Sequence, residues 1–192
     1  MFSLDRRERR TLLEVARQAV MQAVEQRSSL EILPPPGILN QPAGAFVTLR
    51  RGGRLRGCIG QLEATEPVVL VVAHCAVAAA LEDPRFEPLS LLELPSITIE
   101  VSVLSALSPI RPEEIEVGKH GLLISFEGTR GVLLPQVAAE HQWTRERFLE
   151  ETCAKGGLEQ HAWKNPATQI QAFTAEVFSE ADVALEPEKQ AS

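Results

Sequence analysis

With 192 residues, 44% of them hydrophobic, the chain is long enough to bury one sizeable core or two small lobes. A net charge of −7 argues against a general nucleic-acid binder, because a phosphate backbone demands a basic face, and against attachment to an anionic membrane surface. Three cysteines, Cys58, Cys75 and Cys153, form no CxxC pair and no even framework, which points to a reducing compartment and a cytoplasmic protein whose partners are proteins or small molecules.

The N-terminal MFSLDRRERR has charge without an apolar stretch, so no signal peptide is expected. Residues 4–27 read as an amphipathic helix: Leu12, Ala16, Ala19, Val20, Ala23 and Val24 recur at spacings of three and four. The prolines of LPPPGILNQPAG, 33–44, forbid its continuation and predict a surface connection. From Ala45 the period changes to two, and AFVTLRRGGRLRGCIGQL predicts an antiparallel hairpin turning at Gly52-Gly53. A helix follows to about Leu81, with Thr65 as N-cap and Pro67 in its first turn. Its apolar run, 67–81, is shorter than the roughly 20 residues a membrane span needs. A buried helix with His74 and Cys75 packed in the core is the expectation.

EDPRFEPLS breaks that helix, and Ile97, Ile99, Val101 and Val103 alternate with polar neighbours as a strand. GLLISF (121–126), the turn EGTRG and VLL (132–134) predict a second hairpin. Thr144 caps a helix that Gly156-Gly157 stops, with Cys153 on its inner face. TQIQAFTAEVF reads as one late strand, and the residues from Glu186 as a flexible polar tail. Hairpins without regular βαβ repetition define an α+β class with a mainly antiparallel sheet and packed helices, one domain over 1–185.

The unusual stretch is GGRLRGCIGQL, 52–62. Strand alternation sets Leu55, Gly57 and Ile59 on one face, toward the core, and Arg56, Cys58 and Gly60 on the other. Residues i and i+2 on one face lie about 7 Å apart. The Arg56 guanidinium would then favour the Cys58 thiolate. Gly57 and Gly60 would leave room beside the sulfur for a ligand. The competing reading is a small buried cysteine in a tight hairpin, with Arg50, Arg51 and Arg54 as a solvated tip.

FVTLRRGGRLRGCIG, LEDPRFEPL, ITIEVSVLS, VGKHGLLI, GVLLPQVA and FLEETCAKGGL, in this order over about residues 8–180, resemble the AMMECR domain family. Its bacterial and archaeal members are called AmmeMemoRadiSam system protein A. The resemblance implies an α+β fold of two unequal lobes, with the LRGCIG stretch, Leu55 to Gly60, near their junction. It also implies a Memo-like protein and a radical SAM protein as partners. It brings no reaction and no cofactor with it. The DPRF motif falls on Asp83, Pro84, Arg85 and Phe86, the HG on His120 and Gly121, and LLPQVA on Leu133 to Ala138.

A pocket built on these residues would be lined by Arg56, Gly57, Cys58, Gly60, Asp83 and Arg85 and would take a small anionic ligand. Asp83 reads as a base or as an orienter of Arg56, or else as half of a salt bridge bracing its turn. His120 could deprotonate Cys58 or could simply be a loop histidine. No zinc-ligand spacing and no phosphate-loop motif is present. The leading expectation is a ligand- or partner-binding component acting through the LRGCIG hairpin. The alternatives are an enzyme with Cys58 as nucleophile, Arg56 as thiolate stabiliser and His120 as proton carrier, and a purely structural hairpin.

Overall fold

The spacing of apolar residues in the first helix is realised as α1 (Arg6–Gln26), whose Leu12, Leu13, Ala16, Ala19, Val20 and Ala23 are buried. This computed structural model describes residues 3–26 and 32–185, so the expected tail from Glu186 lies outside the described residues. α2 (Val68–Leu81) is apolar on nearly every side, and nine of its fourteen residues are buried, as such a helix requires. No described helix is long and apolar enough to cross a membrane.

The two helices cover one face of a four-stranded sheet ordered β2-β1-β3-β8, formed by β1 (Ala45–Arg51), β2 (Arg54–Gln61), β3 (Ile97–Leu104) and β8 (Ala175–Ser179). Ala45, Val47 and Leu49 pair with Val103, Val101 and Ile99 and make the floor of that core. Gly52 and Gly53 have φ of 56° and 79°, the left-handed pair that a two-residue hairpin turn needs. α5 (Glu180–Leu185) follows β8, and its Glu180 holds Arg17 and accepts the Ile99 N–H. These residues, up to Leu104 and again from Glu176, form one compact unit.

Ser105–Ala175 form a second unit with its own core. Its sheet, β4-β7-β5-β6, comprises β4 (Ser108–Pro109), β5 (Gly121–Phe126), β6 (Thr129–Leu133) and β7 (Gln169–Phe173). α3 (Pro135–Glu140) and α4 (Arg145–Lys155) pack Ala138, Phe148, Leu149 and Cys153 against Leu122 and Ile124. A Cβ on Gly131 would sit 1.9 Å from the Thr152 carbonyl oxygen, so glycine is what lets α4 lie directly on β6. The Thr144 hydroxyl accepts the Arg147 N–H at 3.2 Å, the expected cap. The class is α+β, with two four-stranded antiparallel sheets in place of one.

Several expectations are corrected. Pro67 occupies the α2 N-cap, while the Thr65 hydroxyl accepts from Gln61 Nε2 at 2.7 Å. The late strand is two strands, because the chain leaves the second sheet at Phe173 and enters the first at Ala175. The second hairpin turns at Glu127-Gly128, with φ of 48° and 81°, so β6 starts already at Thr129. His74 points outward, 67% exposed and 3.1 Å from Glu66, whereas Cys75 and Cys153 are buried. Uniform apolarity along α2 hid which side of the helix met water.

Candidate functional site

β2 is an edge strand, and its geometry departs from simple alternation at one residue. Paired without interruption from Arg51↔Arg54, the hairpin would put Cys58 opposite Val47, facing the core. Instead the register shifts between Leu49 and Arg50: Leu49 pairs with Gly57 and Arg50 with Leu55, leaving Arg56 as the extra residue of a β-bulge. The bulge puts Gly57 on the core face and turns Cys58 to the opposite face, across from Thr48. It also undoes the expectation for Leu55, which is 39% exposed and not part of the core.

Gly57 is the point where α2 reaches the strand. A Cβ there would lie 2.1 Å from the Ala79 carbonyl oxygen. At Gly60 the corresponding position is filled by the Phe46 ring, also at 2.1 Å. The expectation that these glycines open ligand space is therefore corrected: helix backbone and an aromatic ring already occupy it.

Cys58 is partly exposed, and the Thr48 hydroxyl donates to its sulfur at 3.3 Å. Its main-chain groups, which an edge strand leaves unpaired, are both taken by the DPRF turn. The Cys58 N–H donates to Asp83 Oδ2 at 2.8 Å, and Arg85 NH2 donates to the Cys58 carbonyl at 3.2 Å. Asp83, 2% exposed, also accepts from Arg85 N (3.1 Å), Nε (2.9 Å) and NH2 (2.6 Å). These bonds, the Arg85 side chain first, hold the Asp83 carboxyl far below the usual carboxylate range despite its burial. Such a group remains an anion at neutral pH and takes up no proton. Asp83 thus braces the turn and the strand edge, and it orients Arg85, not Arg56.

The cation beside the sulfur is Arg85. Its guanidinium is held more firmly protonated by the hydrogen bond to Asp83 and, to a lesser extent, by charge and hydrogen bonding from the Cys58 sulfur. The side chain is 53% exposed, with Nε and NH2 carrying its bonds to Asp83 and to the Cys58 carbonyl. Arg56 was expected in this role. Its Nε and NH2 instead donate to Glu93 Oε1 and Oε2 at 2.8 and 3.1 Å, a fork-to-fork pair only 15% exposed on either side. That pair lowers the Glu93 pKa to about 2, the Arg56 hydrogen bond being the largest cause. Phe86 is shared by both arginines, at 5.9 Å from Arg56 and 5.5 Å from Arg85.

His120 belongs to the second unit, where its Nδ1 accepts the Glu116 N–H at 3.1 Å. In the neutral ring this assigns the proton to Nε2 and engages the Nδ1 lone pair with the backbone. Among the described residues no group of three or more His, Cys, Asp or Glu could hold a metal ion. Sequence reasoning missed Thr48 and Glu93. The former could be found only by knowing the bulge, and the latter carried no local signal.

A family model described as AMMECR1 matches residues 13–178. The chain belongs to the AMMECR1 family. A relative from Methanothermobacter thermautotrophicus is 40% identical over 185 residues, covering 92% of this chain and 96% of its own. Another, from Thermofilum pendens, is 38% identical over 200 residues, covering 94% and 93%. The crystal structure of the uncharacterized protein PH0010 from Pyrococcus horikoshii matches with a TM-score of 0.83 and 36% identity, over 90% of this chain and 91% of that one. Within this AMMECR1 chain, the LRGCIG and DPRF motifs meet as one construction: the second supplies the hydrogen-bond partners for the edge of the first.

Proposed function

We propose that this AMMECR1-family chain is a binding component that receives a small anionic group, a carboxylate or phosphate, at the Arg85–Cys58 edge of β2. One observation carries the reading: Arg85 is locked through Nε and NH2 by a buried carboxylate and tied to the Cys58 carbonyl, while its side chain stays 53% exposed beside a partly exposed cysteine. A guanidinium pre-oriented in this way binds an oxyanion without first paying to order its own side chain. The resemblance on LRGCIG supports a Memo-like protein and a radical SAM protein as the partners with which the component acts. Three free thiols fit a cytoplasmic setting.

The cysteine-nucleophile alternative draws on the same exposed thiol and neighbouring cation. It needs a group to take the thiol proton. Asp83 is held as an anion with its oxygens occupied, and the Nδ1 of His120 is taken by the Glu116 N–H. Binding is therefore the better-supported reading.

The test is protection of Cys58 from iodoacetamide by inorganic phosphate and by acetate, against equal chloride. Saturable slowing in the native protein and none in Arg85→Gln is the expected result. Equal slowing in both proteins, or none in either, rejects the proposal.

A further inference from the structure

Outside the cysteine edge, the first unit has a concave site of about 440 Å³ between the last turns of α1 and the segment leading into β3. Arg17, Met21 and Glu25 line one wall at four-residue spacing, so they form a single stripe of the helix. Leu91, Leu94, Pro95 and Ile97 line the other. Met21 is 40% exposed, Leu91 55% and the adjoining Leu92 92%, a run of large apolar surface that folding does not cover.

The walls are fixed in advance. Arg17 donates to the carbonyls of Leu94 (3.4 Å) and Ile97 (2.7 Å) while bound to Glu180. Glu93, inside the same segment, accepts from Ser90 N and Oγ and from Arg56. The bulged arginine of LRGCIG thus anchors the segment that carries the exposed leucines.

The charges select what fits. Arg17 is neutralised by Glu180, whereas Glu25 is exposed and has no cationic partner among the described residues. An apolar floor with an exposed carboxylate at its rim suits aliphatic side chains followed by a basic residue. The volume is within the range of sites for small ligands or for a few side chains, and Leu92 extends the apolar surface past it, which favours a polypeptide. A second copy of this chain, at net charge −7, would bring the wrong sign. We propose that this groove docks an amphipathic helix of a partner protein, with aliphatic residues one turn apart entering between Met21 and Leu91 and a lysine or arginine meeting Glu25.

The chain has two methionines, Met1 and Met21, so methyl-labelled methionine gives a reporter inside the groove. The probes are two synthetic helical peptides with leucines four residues apart, one carrying lysine on the flank and the other glutamate. The lysine peptide is expected to shift the Met21 resonance saturably and to bind at least about tenfold more tightly than its glutamate counterpart. Glu25→Lys should reverse that order. Leu91→Ser combined with Leu92→Ser should abolish the shift while leaving the melting temperature and the phosphate protection of Cys58 unchanged. The proposal is overturned if Met21 responds to neither peptide or to both equally. It is also overturned if concentrating the protein alone moves the Met21 resonance, since a second copy would then fill the groove.

Discussion

Replacing Asp83 by asparagine keeps the shape of the side chain and removes its charge. The carboxylate receives four hydrogen bonds, two at each oxygen: Cys58 N and Arg85 NH2 at Oδ2, Arg85 N and Nε at Oδ1. Asparagine offers one oxygen and one NH2 group. Whichever way the amide turns, one backbone N–H, that of Cys58 or of Arg85, faces another donor at a position only 2% exposed. An unsatisfied buried donor costs about 1–3 kcal/mol. Loss of the carboxylate charge that faces Arg85 adds less than in a fully buried pair, because that guanidinium is 53% exposed and water replaces part of the interaction. The expected destabilisation is about 2–4 kcal/mol, or about 5–15 °C in melting temperature for a chain of this size. Urea unfolding of Asp83→Asn measures the energy, and amide exchange at Cys58 reports whether the strand edge opens. A variant within about 0.5 kcal/mol of the parent, with Cys58 exchange unchanged, would refute the role assigned to this carboxylate.

Gly57→Ala should destabilise by about 1–3 kcal/mol or more, since its Cβ would start 2.1 Å from the Ala79 carbonyl and β2 or α2 must move; thermal unfolding of the variant reads this directly. On acidification, Glu93 loses an interaction that exists only while it is ionised. Its folded pKa of about 2 lies below the ordinary 4.5, so the contribution is complete above pH 4.5 and disappears as the pH falls toward 2. It amounts to about 3 kcal/mol, Asp83 acts in the same direction, and Glu93→Gln should flatten the acid limb of stability against pH. Under native conditions Cys58 should be alkylated well before Cys75 and Cys153, which are buried; burial pushes the Cys75 thiol up to about 11, and mass mapping of the labelled peptides gives the order.

How much of this was legible in the sequence differs between fold and site. α1, the Gly52-Gly53 hairpin, β3 and the Thr144-capped α4 followed from periodicity and turn chemistry, because each is decided by neighbours close in the chain. The split at Thr174 did not, since leaving one sheet for another depends on strands more than forty residues away. At the site, Arg56, Cys58, Asp83 and Arg85 were all singled out, but their pairing was not. Alternation assigned Arg56 to the sulfur, whereas the bulge gave Arg56 to Glu93 and brought Arg85 in from the turn after α2. A one-residue bulge leaves no mark in composition, yet it decides whether Cys58 faces the core or the outer surface. The glycines misled for a related reason: an absent side chain signals close approach, and the body that approaches here is the protein's own helix or ring.

The most direct measurement compares how fast Cys58 reacts with iodoacetate, which is anionic, and with iodoacetamide, which is neutral, in the parent, Arg85→Gln and Arg56→Gln proteins. With Arg85 as the charge beside the sulfur, the preference for iodoacetate should drop in Arg85→Gln and survive in Arg56→Gln, whose guanidinium is already neutralised by Glu93. A preference that survives loss of Arg85, or that falls with loss of Arg56, would contradict the assignment on which the proposed anion site depends.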